Sequence, residues 1–292
     1  MRDESRYDVW LLGRSQDGGL PHVGCMQACC AEARKTGRRE YPCALGVHDR
    51  VSGALALIEA TPAVEPQLAM LHALAGVSGC VRRPVEAVLI THAHIGHYAG
   101  LVQFGEEVAA TDHLPLFVTP QMANFLRANQ PWAQLVTYGQ VDVHEVDPGK
   151  SCEPIPGLEV DFIAVPHRDE HSDTVAFKLR GPERTLLWAP DVDQWGRHDG
   201  LLADLLDDVD VAYVDATFYD GRELSGRDLD GIPHPLIVET MDAWADQAAA
   251  RPGVIRFIHM NHTNPALHDS AIVEKIERAG FCVASMGERH SL

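Results

Sequence analysis

The sequence predicts an α/β fold built on two β-sheets. Three observations lead there: short apolar runs ending in turn residues recur in both halves of the chain, segments with helical spacing separate them, and no linker rich in Gly, Ser or Pro is long enough to divide it. At 292 residues and 46% hydrophobic content the chain can bury a full core. That argues against the disordered and membrane classes and predicts one domain over residues 1–292.

In chain order, the apolar runs read as buried strands at 9–12 before Gly13, 54–58 before Glu59 and 85–90 before Thr91. Further runs follow at 116–118, 160–165, 174–179, 185–189, 211–214 and 254–258. Helical spacing is clearest over 270–279, where Ser270 can cap the start, Ile272 and Ile276 share a face, and Gly280 can close the end. A second helix is predicted over 235–250, with Pro235 in the first turn and Leu236, Met241 and Trp244 as apolar positions. No repeat of fixed period and no low-complexity tract interrupts this alternation.

Composition narrows the function classes. The first residues, Met1, Arg2, Asp3 and Glu4, carry charges where a secretory signal has an apolar run, and no later stretch reaches the ~18 apolar residues of a spanning helix. The expectation is a cytoplasmic protein without a membrane partner. A formal charge of −18 would repel a polyanion, so nucleic acid is not the expected partner. A small-molecule substrate remains, because a bound divalent metal dominates the field close to it; a homodimer is left open. Seven cysteines, of which Cys25, Cys29 and Cys30 cluster while Cys43, Cys80, Cys152 and Cys282 stand alone, suggest thiol or metal chemistry rather than a disulfide framework.

Histidine spacing carries the chemistry. Directly after the strand ending at Ile90 come Thr91, His92, Ala93, His94, Ile95, Gly96 and His97. At a strand end several imidazoles can be aimed at one point while the sheet holds them, and three histidines in six residues suit zinc or iron. An alternative motif, His167-x-x-Glu170-His171, would bind zinc only from a helix; Pro166 and the flanking strands predict a loop instead. Arg168, Asp169, Glu170 and His171 then read as site-edge residues or solvated loop charges.

This pattern resembles the metallo-β-lactamase superfamily, whose signature is His-x-His-x-Asp-His after a strand. The resemblance implies an αββα sandwich of two mixed β-sheets flanked by helices. His92, His94 and His97 match the signature, whereas Gly96 stands where the family has an aspartate that helps to hold a second metal. The remaining family ligands fall at His167, Asp191 and His259, each after a predicted strand. The resemblance assigns His92, His94 and His167 to one metal, His97 and His259 to the other, and Asp191 as the bridge. The second site is expected to be weakened by Gly96 unless a nearby group such as Asp193 compensates.

Segments around Gly18, Pro166, Ala189, Asp215 and Phe257 resemble the pyrroloquinoline quinone biosynthesis protein B family, which lacks the intact triple-histidine motif. Cys25, Cys29 and Cys30, with His262 just past His259, are similar to the structural-zinc cluster of the cyclic phosphodiesterase branch, with Gln27 where that branch has its middle cysteine. Buried thiols are the alternative. His234 falls where related phosphodiesterases carry a histidine that contacts the leaving group; a turn residue is the alternative there.

The expected cofactor is zinc, one or two ions, with iron or manganese as alternatives. The expected activity is hydrolysis of a small ester, lactone or phosphodiester by metal-activated water, with Asp191 and His234 in catalytic roles. The rival readings are an iron-dependent oxygenase and a non-catalytic metal-binding module.

Overall fold

A computed structural model describes residues 5–78, 83–198, 200–224 and 233–292. Met1, Arg2, Asp3, Glu4 and Cys80, named above, lie outside the described residues. The first sheet collects β1 (Tyr7–Gly13), β2 (Ala44–Asp49), β3 (Leu55–Ile58), β4 (Ala87–Leu89), β5 (Leu114–Val118) and β6 (Val141–Glu145). The second collects β7 (Ser151–Cys152), β8 (Glu159–Ala164), β9 (Val175–Arg180), β10 (Thr185–Ala189), β11 (Val211–Asp215), β12 (Ile255–Ile258) and β13 (Cys282–Val283). The last strand, β14 (Arg289–Ser291), returns to the first sheet beside β1. The two orders are β14-β1-β2-β3-β4-β5-β6 and β13-β12-β11-β10-β9-β8-β7, each part antiparallel and part parallel.

One apolar layer lies between the sheets, combining Val9, Leu11, Leu45 and Ala56 of the first with Phe162, Phe177, Trp188 and Tyr213 of the second. Phe162 and Phe177 meet edge to face at 4.7 Å, and Trp188 packs on Tyr213 at 5.8 Å. Each such fully buried side chain is worth about 1.5–3 kcal/mol of transfer free energy. Helix α1 (Ala28–Thr36) follows β1, and α5 (Trp132–Thr137) follows α4 (Pro120–Ala128); α2 (Val64–Ala75) and α4 cover the outer face of the first sheet through Val64, Leu71, Met122 and Leu126. On the second sheet α6 (Leu201–Leu206), α7 (Ile237–Ala243) and α9 (Ser270–Arg278) do the same through Leu202, Ile237 and Ile276. The chain is thus an αββα sandwich of two mixed sheets, as its strand pattern and its family resemblance imply.

Two local expectations need correction. The predicted helix over 235–250 is two helices, α7 and α8 (Ala245–Ala250), because Trp244 leaves helical geometry at φ −120°. Pro235 precedes the first turn, and Leu236, extended at φ −86° and ψ 141°, is the residue that enters the helix. The cap of α9 is Asp269, whose carboxylate accepts from the Ala271 amide at 2.9 Å; Ser270 is already helical.

Strand direction places the site. Strands β3 and β4 run parallel, and β1, antiparallel to β2, which is antiparallel to β3, shares their direction. In the other sheet β10, β11 and β12 are parallel, and two antiparallel steps give β8 the same sense. Loops following β8, β10, β11 and β12 therefore leave one edge of the second sheet, and those following β1, β3 and β4 leave one edge of the first.

Candidate metal centre

The loop after β4 carries His92, reaches its bend at His94 and enters the one-turn helix α3 (Ile95–Tyr98), which holds His97. His167 follows β8, Asp191 follows β10, Asp215 ends β11 and His259 follows β12. Asp191 is the centre of the arrangement. Its Oδ1 lies 3.1 Å from His167 Nε2 and 3.3 Å from His234 Nδ1; its Oδ2 lies 3.2 Å from His92 Nε2, 3.6 Å from His94 Nδ1, 3.7 Å from His97 Nε2 and 3.9 Å from His259 Nε2. Ligands about 2.0–2.1 Å from a tetrahedral zinc stand about 3.3 Å apart, so these separations fit a shared cation better than a packed apolar core.

Donor atoms fall into overlapping groups: His92, His94, His167 and Asp191 form one; Asp17, His97 and His259 another; Asp191, Asp215, His234 and His259 a third. The polar atoms at their centres are unsatisfied. Among the described residues, His92 Nε2, His97 Nε2, His259 Nε2, Asp17 Oδ1 and Asp191 Oδ1 are buried without a hydrogen bond. A buried polar atom without a partner costs about 1–3 kcal/mol. Several aimed at common points make a donor set that a divalent cation would satisfy.

The imidazoles are oriented from behind. Thr91 Oγ1 donates to the fully buried Glu59 at 2.7 Å and lies 2.9 Å from His92 Nδ1, while Glu59 also stands 3.4 Å from His97 Nδ1. Thr217 lies 2.9 Å from His259 Nδ1 and donates to Asp215 at 2.7 Å. Asp215 Oδ2 sits 2.8 Å from His234 Nδ1, and Asp193 Oδ1 sits 3.4 Å from His167 Nδ1. Such partners behind a ligating ring fix its orientation and tautomer. Two residues of this frame, Glu59 at φ 69° and His259 at φ 60°, adopt left-handed backbone at strand ends, a conformation costly for side chains of this kind and concentrated at functional sites.

Charge follows the same geometry. Burial opposes ionisation of Asp191, but His259, His234 and His167 overrule it and hold the carboxyl well below its usual range. Burial, reinforced by the neighbouring His97, holds His92 well below the usual histidine range, so its ring is neutral and free to ligate. For His97, burial is overruled by Glu59, Asp17 and Asp191, which raise it.

At the rim, His94 Nε2 is 3.4 Å from Glu170, and Arg168 pairs with Glu170 at 3.6 Å. Residues 167–171 are irregular, so the loop expectation stands against the helical zinc motif. Asp169 is exposed, and the His171 ring tilts against Phe125 at 5.6 Å. Elsewhere, Cys25, Cys29, Cys30 and His262 bring their donor atoms within 4.8 Å of one another. Cys30 is buried, His262 Nδ1 is buried without a hydrogen bond among the described residues, and the His22 ring stacks on His262 at 4.5 Å. Three thiols and an imidazole make a closed donor set of the structural-zinc type.

Sequence reasoning did not single out Asp17, Glu59 or Asp215 as site residues. Each sits at or just past a strand end on the same edge as the histidines, and that position is the signal that could have found them. Asp193, named as a stand-in for the carboxylate missing at Gly96, instead has its Oδ1 behind His167, 3.4 Å from His167 Nδ1.

The family model described as "Beta-lactamase superfamily domain" matches residues 56–260. The chain is 28% identical over 314 residues to coenzyme PQQ synthesis protein B of Methylobacterium radiotolerans, covering 97% of this chain and 99% of that one. Among solved structures, the Zn(2+)-bound PqqB from Methylobacterium extorquens superposes with a TM-score of 0.76 at 21% identity, over 98% of this chain and 100% of that one. A diphosphatase of the PhnP family superposes with a TM-score of 0.66 at 18% identity, over 98% and 97%.

Proposed function

The chain belongs to the beta-lactamase superfamily, and from that premise we propose that it is a metal-dependent hydrolase that cleaves a small ester, lactone or phosphodiester. The observation that carries the reading is the Asp191 carboxylate, shared at 3.1–3.9 Å among five imidazoles of the signature and its partner loops. His92, His94 and His167 would hold one cation with Asp191, and His97 and His259 would belong to a second. Residues 1–292 act as one domain in this reading, because the two halves of the donor set come from the two sheets.

When bound at such a site, zinc lowers the pKa of a coordinated water to about 7 and so supplies hydroxide at neutral pH. The chain's own residues do the rest. Asp191 stays ionised and can orient the attacking water or accept its proton. His234 has Nδ1 engaged by Asp215 at 2.8 Å, which leaves Nε2 as the nitrogen able to pass a proton to a leaving group. Glu170 and Arg168, exposed at the His94 rim, would meet the substrate's polar periphery in this reading. The chain's charge of −18 favours a small substrate drawn in by the cation over a polyanion.

A second reading has its own support. Similarity to coenzyme PQQ synthesis protein B runs along nearly the whole chain, and the same imidazole and carboxylate donors accept ferrous iron, which would support an oxygenase instead of a hydrolase. The restored triple-histidine motif favours hydrolysis. The test is to load metal-free protein separately with zinc and with ferrous iron, then assay model phosphodiesters and lactones alongside oxygen uptake with tyrosine-containing peptides. Hydrolysis under zinc is the expected result. Turnover only with iron and oxygen would transfer the assignment to the oxygenase reading.

A further inference from the structure

Gly96 stands where the superfamily signature has an aspartate, and on sequence alone that reads as a ligand lost. The space around it reads differently. A Cβ built on Gly96 would lie 2.2 Å from Asp17 Oδ1, 2.5 Å from Asp17 Cγ and 2.7 Å from Asp17 Cα. The volume into which an aspartate at 96 would grow is already filled by another aspartate, carried on the loop that leaves β1. That carboxylate is aimed at the same target. Asp17 Oδ1 lies 3.6 Å from His97 Nε2 and 3.6 Å from His259 Nε2. All three of these atoms are buried and, among the described residues, without hydrogen bonds.

We propose that Asp17 supplies the carboxylate that position 96 lacks, so that Asp17, His97 and His259, with Asp191 shared, hold a second divalent cation. The inference rests on the metal-dependent reading above and adds a ligand that the signature does not contain. Gly96 is then the steric condition for the replacement. The two positions form a pair: a side chain at 96 and the carboxylate of residue 17 compete for one place, and because the clash includes the Asp17 Cα, a rotamer change cannot relieve it. The second site is accordingly a full carboxylate-and-imidazole site. Gly96→Asp alone would weaken it, because that substitution collides with the ligand already there.

The loop's attachment supports a fixed ligand. Gln16 N donates to Met260 O at 3.0 Å, and Asn261 Nδ2 donates to Gln16 Oε1 at 2.9 Å, tying the residue before Asp17 to the residues just after His259. Ser15 is bridged to both Pro42 and Met260. Asp17 and His259 therefore sit on directly hydrogen-bonded backbone.

The experiment uses the full chain loaded with zinc. Elemental analysis counts the ions, calorimetric titration gives their affinities, and anomalous difference maps at the zinc edge locate them in wild type, Asp17→Ala, Asp17→Asn and Gly96→Asp. In wild type, density is expected both among His92, His94 and His167 and among Asp17, His97 and His259. Asp17→Ala and Asp17→Asn should keep the first ion and bind the second at least about 100-fold more weakly, since even a residue behind a ligand is worth about 10- to 100-fold in affinity. Gly96→Asp should also lose the second ion, because its side chain meets both the carboxylate and the Cα of Asp17. Second-site zinc held by Asp17→Ala within about twofold of wild type, or by Gly96→Asp alone at full occupancy, would overturn the proposal. Wild type with a first ion but none near Asp17 would overturn this inference while leaving the metal-dependent reading intact. Zinc at neither place would overturn both.

Discussion

Glu59 touches no substrate in the proposed mechanism, yet its replacement should loosen both cations. The carboxylate is fully buried at the end of β3 and serves four groups: the Thr91 hydroxyl at 2.7 Å, the Thr91 amide at 3.3 Å, the Trp188 indole at 3.3 Å and His97 Nδ1 at 3.4 Å. Through Thr91, which lies 2.9 Å from His92 Nδ1, it also sets the first ring of the motif. Glu59→Gln keeps the volume and removes the charge. Its amide can still accept from Thr91, but it cannot hold the His97 Nδ1–H as a carboxylate does. Residues standing behind metal ligands contribute about 10- to 100-fold to metal affinity, which is about 1.4–2.7 kcal/mol. The second site, whose His97 is in direct contact, should lie toward the upper end, and the first, reached only through Thr91, toward the lower. Competition against a chromophoric chelator, fitted for two active-site ions, measures both. A lowered melting temperature with zinc affinities equal to wild type would show that Glu59 only supports the fold, and would refute the reasoning.

Three further outcomes are expected. His234→Gln should lower kcat by about 10²- to 10⁴-fold with zinc content unchanged, the range for loss of a positioned proton donor; a parallel loss of zinc would make His234 a ligand instead. Cys30→Ser and His262→Ala should each release one zinc and lower the melting temperature, because a structural ion contributes directly to folding; unchanged zinc and melting temperature in both would leave the cluster as buried thiols. Glu288→Gln should cost about 3 kcal/mol and lower the melting temperature by about 5–10 °C, since it breaks a largely buried pair in which Glu288 accepts from Arg256 at 2.9 and 3.0 Å and from Tyr213 at 2.6 Å. Burial pushes the Glu288 carboxyl up, but His290, Arg256 and Tyr213 overrule it and hold it below the usual range. A group depressed on folding contributes stability above its unfolded pKa, about 4.3, and loses it as pH falls toward the folded value. The gap between wild type and Glu288→Gln should therefore be constant above about pH 5 and close in acid; a gap that is equally wide at pH 3 would contradict the assignment.

What the sequence made legible follows from range. Strands such as β10 and β11 are written locally, as apolar runs ended by turn residues, and so were His92, His167, Asp191 and His259 as residues placed after them. The less apolar strands escaped: β2 contains His48 and Asp49, β6 contains Asp142, His144 and Glu145, and β13 and β14 are only two and three residues long. The division of α7 from α8 at Trp244 has no Gly or Pro to announce it, and the choice of Asp269 over Ser270 as cap lies between two adjacent residues of capping type, which composition alone does not separate.

The missed carboxylates show how a strand-end site is better searched. Because β1, β3, β4, β8, β10, β11 and β12 deliver their C-terminal ends to the site, a ligand absent from one loop can be replaced from another without any change in the motif itself. Three acidic residues on those ends are candidates to replace the one missing at Gly96: Asp17 after β1, Glu59 after β3 and Asp215 ending β11. Hydrogen bonding separates them. Glu59 is committed to Thr91 and Trp188, and Asp215 to Thr217, the Val192 amide and His234. Asp17 alone of the three has a buried oxygen without a hydrogen bond among the described residues. The carboxylates already engaged can orient ligands; the one left unsatisfied beside two unsatisfied imidazoles is the one a cation would take.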